Sequence, residues 1–446
     1  MVDASLHFQN DAKNEIIDFY GLIFAAKGNR KYTHLNPKST FLSFSLILGI
    51  SILWGCDQKE RKVSIDENTV ISYLDNNSFA LSTSDSKPFD LSPLDDSFKR
   101  KRIILLGEVH GSQINEKLDL EIFKYLYQKH GVRHYLGESG YGMGLLINEY
   151  IQTGDEQLLK SIFQLWSGTF SGTQQNYERI KALRAFNVSL PSYAKFKYVG
   201  IDLEQQFGAG FLAIKRFLFD DLNYYDKSIR QALASFVSFQ NNNFNSVNAY
   251  CQYFLQQIRK ESLVESYKRA FGKHYQEVEL ILENMIMRHA LHQNPKSYIA
   301  KRENQITENL DFIMNQDPIG NFYGKWGAFH IWKNNVGNQP SSFIKLAIKR
   351  GVINKDDVLS IPIFYSNSYY ADKNSDFRST SISSMAFPEN LTSNETSSIK
   401  FYRLNEESSP FLEHMLLIEG EEGVVTDYFT EFIKISGSKA ATRLIF

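Results

Sequence analysis

The chain has 446 residues, 49 Lys and Arg against 50 Asp and Glu, and a net charge of −1. Hydrophobic residues make up 43% of it and charged residues 22%, which excludes a disordered or low-complexity chain. Its length suits one enlarged domain or about three ordinary ones. Because no general positive field is available to attract phosphates, we expect no nucleic-acid partner.

The N-terminal 55 residues have the features of a bacterial lipoprotein signal peptide. Residues 41–54 form an apolar run that is too short to span a bilayer but is typical of the hydrophobic part of a signal peptide. The run ends in Leu53-Trp54-Gly55-Cys56, which resembles a lipobox, where a small residue precedes an acylated cysteine. We therefore expect Cys56 to carry a lipid such as palmitate and to tether the protein to a membrane of the bacterial cell envelope. A buried helix or a plain membrane anchor is the alternative.

Residues 1–34 are longer and more acidic than the basic segment that usually precedes such a run. If translation begins near Leu35, the signal peptide has an ordinary length and Lys38 supplies its positive charge. We therefore expect the translated protein to begin near Leu35. The acidic residues of the preceding segment are Asp3, Asp11, Glu15 and Asp18.

Residues 99–446 are predicted to form one α/β domain. Residues 56–98 are rich in Ser, Asp, Asn and Lys, which indicates a tether and a loosely packed lead-in. Beyond them, short β-type runs alternate with helical periodicity, which predicts a mainly parallel central sheet flanked by helices. Apolar spacings of three and four over about 208–300 predict a helical insertion, and 366–398 is predicted to be a long polar loop. The predicted strands are 102–106, 133–137, 196–201, 325–329, 358–364 and 415–418, and the predicted helices include 114–130, 142–153, 177–186 and 339–350.

Four of the predicted strands end in acidic or imidazole side chains. Glu108 and His110 follow the first of them, and Glu138 follows the second. Asp202 ends the third, and His330 ends the fourth. Because parallel strands bring their carboxyl ends to one edge of a sheet, we expect these side chains to meet. Each residue taken singly has a structural explanation as a helix cap or a hydrogen-bonded imidazole, but their convergence favours a functional site.

Two imidazoles and two or three carboxylates in a partly dry cleft suit two kinds of chemistry. They can activate water by general base catalysis, with the carboxylates fixing the histidine tautomer. They can equally hold a divalent metal. The residue types alone leave both open.

Several motifs resemble the erythromycin esterase-like proteins. Gly107-Glu108-Val109-His110-Gly111 is similar to their pattern G-E-x-x-H-G, and Glu138 corresponds to the acid that ends the next strand. Residues 148–154 are similar to the helix motif N-x-Y-x-x-T-G, and residues 302–310 to R-(D/E)-x-x-M-x-E-N-L. The resemblance covers roughly residues 100–350. The shorter Glu-to-His gap in the first motif is closer to the related Tiki/TraB and haem-binding ChaN-like branches.

The resemblance implies a hydrolase that cleaves an ester or related bond of a small-molecule substrate and needs no cofactor, and the lipobox-like segment adds that it is exported. In the implied mechanism His110, oriented by Glu108 or Glu138, takes a proton from water. Glu138 is the alternative base if burial raises its pKa. The implied catalytic residues are Glu108, His110, Glu138 and His330, and the implied substrate-binding residues are Arg302, Asp202 and Trp166.

The last motif departs from the esterase pattern at Gly327. The pattern H-N-x-H-(V/L)-x-(K/R) has a histidine where this chain has Gly327, so the expected pair of imidazoles is reduced to His330. The resulting Gly-Ala-x-His form resembles the ending of Tiki/TraB proteins, which is linked to metal-dependent peptidase activity. Two alternatives therefore stay open. One is a haem- or metal-binding lipoprotein of the ChaN type, with His110 or His330 as the iron ligand, and the other is a metallopeptidase.

Overall fold

The structure is a computed structural model that describes residues 65–81, 89–241, 243–391 and 398–446. Cys56 and the predicted signal peptide lie outside the described residues. Among the described residues, no helix is both long and apolar enough to cross a membrane. The strands are β1 (Ser78–Leu81), β2 (Ile103–Glu108), β3 (His134–Gly140), β4 (Lys197–Asp202), β5 (Phe322–Gly327), β6 (Val358–Ser366), β7 (Tyr369–Asp372), β8 (Arg378–Ser381), β9 (Ser398–Arg403) and β10 (Glu431–Ser436).

Eight of these strands form one sheet in the order β1-β9-β10-β6-β2-β5-β3-β4. The six strands from β10 to β4 run parallel to their neighbours, and β9 runs antiparallel to both β10 and β1. Every residue of the central strand β2 is buried, which is expected for a parallel strand covered on both faces. The predicted mainly parallel α/β fold is therefore confirmed.

Helices flank both faces of the sheet. The helix α3 has the bounds predicted from periodicity, and Gly131 ends it in the left-handed conformation at φ 68° that glycine adopts readily. The helices are α1 (Glu67–Asn76), α2 (Asp95–Phe98), α3 (Ile114–His130), α4 (Tyr141–Thr153), α5 (Glu156–Leu165), α6 (Gln174–Ser189), α7 (Phe207–Lys215), α8 (Lys227–Ser238), α9 (Phe244–Arg259), α10 (Val264–Phe271), α11 (Tyr275–His292), α12 (Tyr298–Gln316) and α13 (Phe343–Lys349).

The segment for which we predicted a helical insertion contains α7 to α11 and, among its described residues, no strand. Its helices turn their apolar residues toward one another and toward α4. Phe236 and Phe254 stack with ring centroids 4.4 Å apart, and Gly210 of α7 approaches Met285 of α11 closely. This layer packs on α4 and α12, which in turn contact β4.

Three predicted elements differ from the structure. Residues 415–418 are not a strand: they pack, partly buried, against an apolar cluster that includes side chains of β6, β9 and β10, and the last strand is β10 instead. Residues 369–381 form the β7–β8 hairpin within the predicted polar loop. The predicted lead-in contributes α1 and the edge strand β1, which pairs with β9.

The core of the sheet fixes the position of the strand ends. The side chains of Ile103, Ile104, Leu105 and Leu106 are completely buried, and burial of each such side chain contributes about 1.5–3 kcal/mol. In the sheet register Glu108 pairs with Gly327, and Gly140 pairs with Asp202. The polar strand ends therefore emerge from an apolar layer at one edge, as predicted.

Candidate active site

The structure brings six of the seven predicted site residues together at the carboxyl edge of β2, β5, β3 and β4. Strands supply three carboxylates, the turn after β2 supplies His110, and α12 supplies Arg302. His330 lies in a short 3₁₀ helix at 328–331 that follows β5, and not in the strand itself. The strand was predicted to extend to 329, but it ends at Gly327. The three carboxylates are those of Glu108, Glu138 and Asp202.

His110 is held by Glu108. Its Nδ1 lies 2.8 Å from Glu108 Oε1 in a hydrogen bond between side chains. The Glu108 side chain is almost completely buried, and its Oε2 has no hydrogen-bond partner among the described residues. The imidazole itself is 27% exposed and packs on the ring of Phe170 with centroids 5.5 Å apart. His110 is therefore oriented from behind and accessible in front.

Glu138 lies at the centre of the cluster. Its Oε2 accepts a hydrogen bond from the Gly327 N–H at 2.8 Å and lies 3.7 Å from His110 Nε2. Its Oε1 accepts from Arg302 Nη2 at 3.1 Å and lies 3.3 Å from His330 Nε2. One carboxylate thus joins both imidazoles and the guanidinium.

Asp202 fixes Arg302. The guanidinium donates from Nε to Asp202 Oδ1 at 2.9 Å and from Nη2 to Oδ2 at 2.7 Å, which is the bidentate geometry of strong charge-assisted pairs. Asp202 is 1% exposed and was predicted to bind substrate. Because it is buried and fully occupied by Arg302, it supports the guanidinium instead of reaching a ligand.

Sequence reasoning missed Glu303, which lies behind His330. Glu303 is completely buried, and its Oε2 accepts a hydrogen bond at 2.7 Å from the N–H of Phe343, the first residue of α13. Its Oε1 lies 2.7 Å from His330 Nδ1 in an ion-pair contact that is not aligned as a hydrogen bond. The signal available in the sequence was the acidic second position of the motif that begins at Arg302.

Sequence reasoning also missed Lys325. Its Nζ lies 2.9 Å from Glu108 Oε1 and 2.9 Å from Glu116 Oε1. The signal was a lysine in the strand Phe322–Gly327, whose other residues are aromatic or glycine. A cation in a buried strand implies a buried anion nearby.

Neighbouring carboxylates and imidazoles determine the protonation state of each group in the cluster. Burial lowers the pKa of His110, but the carboxylates of Glu138 and Glu108 outweigh it and raise the pKa to about 10. Burial also lowers the pKa of His330, but the carboxylates of Glu303 and Glu138 outweigh this effect and raise the pKa to about 9. Although burial favours its neutral form, Glu138 has a pKa well below its usual value because of His110 and His330. A Glu138 base with a raised pKa, the alternative mechanism, therefore does not fit this structure.

Trp166 is not part of the cluster. It directly follows the last residue of α5, is 5% exposed, and packs edge-on against Phe163 at a centroid distance of 5.2 Å. The predicted contact of Trp166 with substrate does not fit this core position. The loop that follows Trp166 instead carries Phe170 to the face of His110.

Gly327 lies between the two histidines. A Cβ at this position would be 3.2 Å from His110 Nε2 and 3.5 Å from His330 Cδ2. His110 therefore occupies the space that a side chain at 327 would need. The shorter gap between Glu108 and His110 and the glycine at 327 are structurally compatible with each other.

The cluster does not have the arrangement of a metal site. Among the described residues, no group of three or more His, Cys, Asp or Glu side chains is placed to hold a metal ion. Arg302 Nη1 lies 3.3 Å from His330 Nε2, so a cation already occupies the position beside this nitrogen. His330 is 1% exposed, which also makes it a poor axial ligand for haem. The contact with Arg302 and the burial of the ring therefore argue against His330 as a ligand of either group.

Comparisons with known proteins agree with this fold. No protein-family profile and no curated protein sequence matches the chain. A Bacillus cereus protein of known structure superposes with a TM-score of 0.62 at 14% identity, covering 85% of this chain and 100% of the other. A succinoglycan biosynthesis protein gives 0.60 at 15% identity, covering 85% and 99%. Erythromycin esterase EreC in an open conformation gives 0.57 at 14% identity, covering 83% and 99%.

The chain shares the erythromycin esterase fold. This confirms at the level of the fold the resemblance that the motifs indicated. Identities of 14–15% establish the fold alone, so the chemistry of the chain has to be argued from its own side chains.

Proposed function

We propose that the protein is a hydrolase that cleaves an ester or a related bond of a small molecule with water activated by His110. The observation that supports this is the position of His110 between Glu108 and Glu138 at the accessible edge of the sheet. Nδ1 is occupied by Glu108, so the neutral ring presents the lone pair of Nε2. This is the tautomer that a general base acting through Nε2 requires.

In the proposed reaction, His110 Nε2 takes a proton from water, and the hydroxide adds to the carbonyl carbon to form a tetrahedral intermediate. The bond from the carbonyl carbon to the leaving oxygen then breaks, and that oxygen takes the proton from His110, which returns to its neutral form. In this mechanism the guanidinium of Arg302 stabilises the negative charge that develops on the carbonyl oxygen. Asp202 and Glu138 keep this guanidinium in place. His330 is too deeply buried to reach the substrate and acts electrostatically through Glu138.

Replacement of His110 by Gln tests the proposal. We expect kcat/KM to fall by about 10²–10⁴-fold, because general base catalysis contributes that much. The free energy of unfolding should change by no more than about 1–2 kcal/mol. The assay uses the full chain in detergent with short-chain p-nitrophenyl esters and with erythromycin, the compound named for the structurally similar esterase.

His130→Gln is the matched control. His130 is paired with Asp95 at 2.9 Å at the end of α3, at the opposite edge of the sheet. We expect this variant to keep full activity. Equal activity of the wild type and His110→Gln, or loss of folding in His110→Gln, would contradict the proposal. Activity that is lost in chelator and restored by manganese or zinc would instead support a metallopeptidase.

We also propose that the protein is exported and attached to a membrane of the cell envelope by a lipid on Cys56. The support is the sequence alone, namely the apolar run 41–54 followed by Gly55-Cys56. The residues concerned lie outside the described part of the chain. A lipid anchor would keep the hydrolase next to the membrane while the α/β domain faces water.

A further inference from the structure

Lys325 is a buried cation in the strand next to β2. In the sheet register it lies opposite Leu106, and its side chain is 9% exposed. Burial of an ammonium group is unfavourable unless close anions compensate it. Two anions do so here, because Nζ lies 2.9 Å from Glu108 Oε1 and 2.9 Å from Glu116 Oε1.

The ammonium group acts on the same oxygen that holds His110. Glu108 Oε1 contacts both Lys325 Nζ and His110 Nδ1. Burial favours a protonated Glu108 carboxyl, but Lys325 and, to a smaller extent, His110 keep its pKa below the usual value. A protonated Glu108 would be a poorer acceptor for Nδ1, and the ring would then be free to place its proton on Nε2 instead.

Glu116 does not depend on Lys325 in the same way. Arg179 Nε lies 2.8 Å from Glu116 Oε2, and Arg179 Nη1 lies 2.8 Å from Asp119 Oδ2. Glu116 thus keeps a second cation when Lys325 is removed. Glu108 has His110 as its other cationic partner, and His110 is neutral in its base form. Lys325 is then the cation that remains beside Glu108.

We propose that Lys325 is a positioning residue that keeps Glu108 an ionised acceptor for His110 Nδ1 and so leaves Nε2 as the ring nitrogen that accepts a proton. The consequence for catalysis rests on the proposed hydrolysis, whereas the effect on Glu108 is measurable without turnover. The charged and titratable groups that face Glu108 and Lys325 are His110 after β2, Glu116 and Asp119 of α3, Arg179 of α6 and Tyr365 of β6.

The first experiment follows the ionisation of Glu108 directly. Carbon-13 spectra of the full chain, labelled at glutamate carboxyl carbons, are recorded as a function of pH, and Glu108→Gln identifies the signal. In Lys325→Met the Glu108 midpoint should rise by at least about one pH unit, because an opposite charge at this distance shifts a pKa by that much. Lys325→Arg retains the charge and should leave the midpoint low. An unchanged midpoint in Lys325→Met would overturn the proposal.

A second variant covers the case in which Lys325→Met does not fold. Removal of the ammonium leaves Glu108 and Glu116 as two close carboxylates, and the double variant Lys325→Met/Glu116→Gln relieves their repulsion. The same rise in the Glu108 midpoint is expected there. A midpoint equal to that of Glu116→Gln alone would overturn the proposal.

The second experiment is a double-mutant cycle on hydrolysis. Lys325→Met should lower kcat/KM about 100-fold, with KM little changed, because the base loses its orientation. In the Glu108→Gln background the same change should have no further effect, and additive losses would overturn the proposal. Lys434→Met, which removes a lysine of β10 that is 2% exposed, should leave kcat/KM unchanged. If the wild type hydrolyses no ester, the proposed function fails, and the carboxyl titration still decides the role of Lys325.

Discussion

The carboxylates of Glu138 and Glu108 determine how basic His110 is. Because Glu138 and Glu108 raise its pKa to about 10, the ring is protonated in the resting protein at neutral pH. A general base acts only in its neutral form, so the active fraction grows as the pH rises. In the proposed role as base, His110 would therefore be strongly basic, and only a small fraction of it would be neutral at pH 7.

This protonation predicts an alkaline pH profile. Below the pKa of His110 the neutral fraction increases tenfold for each pH unit, so kcat/KM should rise steeply from pH 7 toward pH 9 and level off near pH 10. Because Glu138 contacts both His110 and His330, the midpoint of this profile reports the titration of the three groups together. Initial rates across this range measure the profile, and a rate that is flat or falls between pH 7 and pH 9 would rule out His110 as the base.

Gly327 makes a second prediction about a single residue. In Gly327→Ala the added methyl group would lie 3.2 Å from His110 Nε2 and 3.4 Å from its Cε1, so the ring must move by a few tenths of an ångström. The backbone at Gly327 has φ −53° and ψ 135°, which alanine adopts without strain. We expect the variant to fold and to lose about tenfold in kcat/KM, because catalytic groups tolerate little displacement. Thermal unfolding checks the fold, and unchanged kinetics would show that His110 is not crowded.

The sequence was sufficient to find the residues that end strands, and insufficient for those whose role depends on a distant partner. Glu108 and Glu138 each close an apolar run, so local pattern and the geometry of parallel sheets predict their meeting. Glu303 and Lys325 are different. Each is defined by a contact with another element. Glu303 contacts His330, which lies 27 residues later in the chain, and Lys325 contacts Glu108, which lies 217 residues earlier. No local pattern contains that information.

Among the elements, α4 begins beside an unusual carboxyl group. Glu204 is completely buried, its Oε1 accepts a hydrogen bond from the Gly142 N–H in the first turn of α4, and its Oε2 has no partner among the described residues. Burial raises its pKa to about 8, although the N–H groups of Gly142 and Met143 oppose the rise. Glu204 is therefore neutral in the folded protein at neutral pH.

The raised pKa of Glu204 predicts how stability depends on pH. Below about pH 4.5 the carboxyl is protonated in both the folded and the unfolded chain. Between that pH and about pH 8 only the unfolded chain releases the proton, so the free energy of unfolding falls by up to about 1.4 kcal/mol per pH unit. Glu204→Gln should remove this slope. Urea unfolding at pH 5 and pH 8 measures it, with the exposed Glu308→Gln as control, and equal slopes in the wild type and Glu204→Gln would contradict the assignment.

The C-terminal segment joins two loops of the site. The Ala441 N–H donates to the Gly111 carbonyl at 2.7 Å, and the Gln113 N–H donates to the Lys439 carbonyl at 2.9 Å. The Gln174 N–H donates to the Thr442 carbonyl at 2.8 Å, next to the loop that carries Phe170. One segment thus holds both the His110 turn and the loop that packs against it.

Removal of residues 439–446 should loosen both loops. The amides of Gln113 and Gln174 lose their acceptors, so we expect their hydrogen exchange to become at least about tenfold faster and kcat/KM to fall. Hydrogen exchange followed by mass spectrometry measures the effect. A shorter deletion of the exposed Ile445 and Phe446 keeps these hydrogen bonds and serves as the control. Equal protection in the two deletions would show that the segment is not a support.

For the whole molecule, periodicity predicted the architecture because the α/β alternation is repeated many times and single errors do not change it. The run at 415–418 resembles a strand in composition, yet it packs outside the sheet. Pairing with β6 and β9 decides which segment becomes β10, and the composition of a segment does not show that pairing. The same limit applies to β1, which has only four residues and gains its place from pairing with β9. Pairing between distant segments is the information that a single sequence does not contain.

The proposed lipid on Cys56 predicts where the protein is located in the cell. Cells that express the full coding sequence should incorporate labelled palmitate into the wild type and not into Cys56→Ser, and only the wild type should sediment with membranes. A lipid contributes about 0.8 kcal/mol for each buried methylene group, so its loss releases the protein. Cys251→Ser is the control, because Cys251 is completely buried and burial raises the pKa of its thiol to about 12, which leaves it unreactive. Label retained in Cys56→Ser, or peptides from residues 1–30 in the membrane-bound protein, would show that the lipobox is not used.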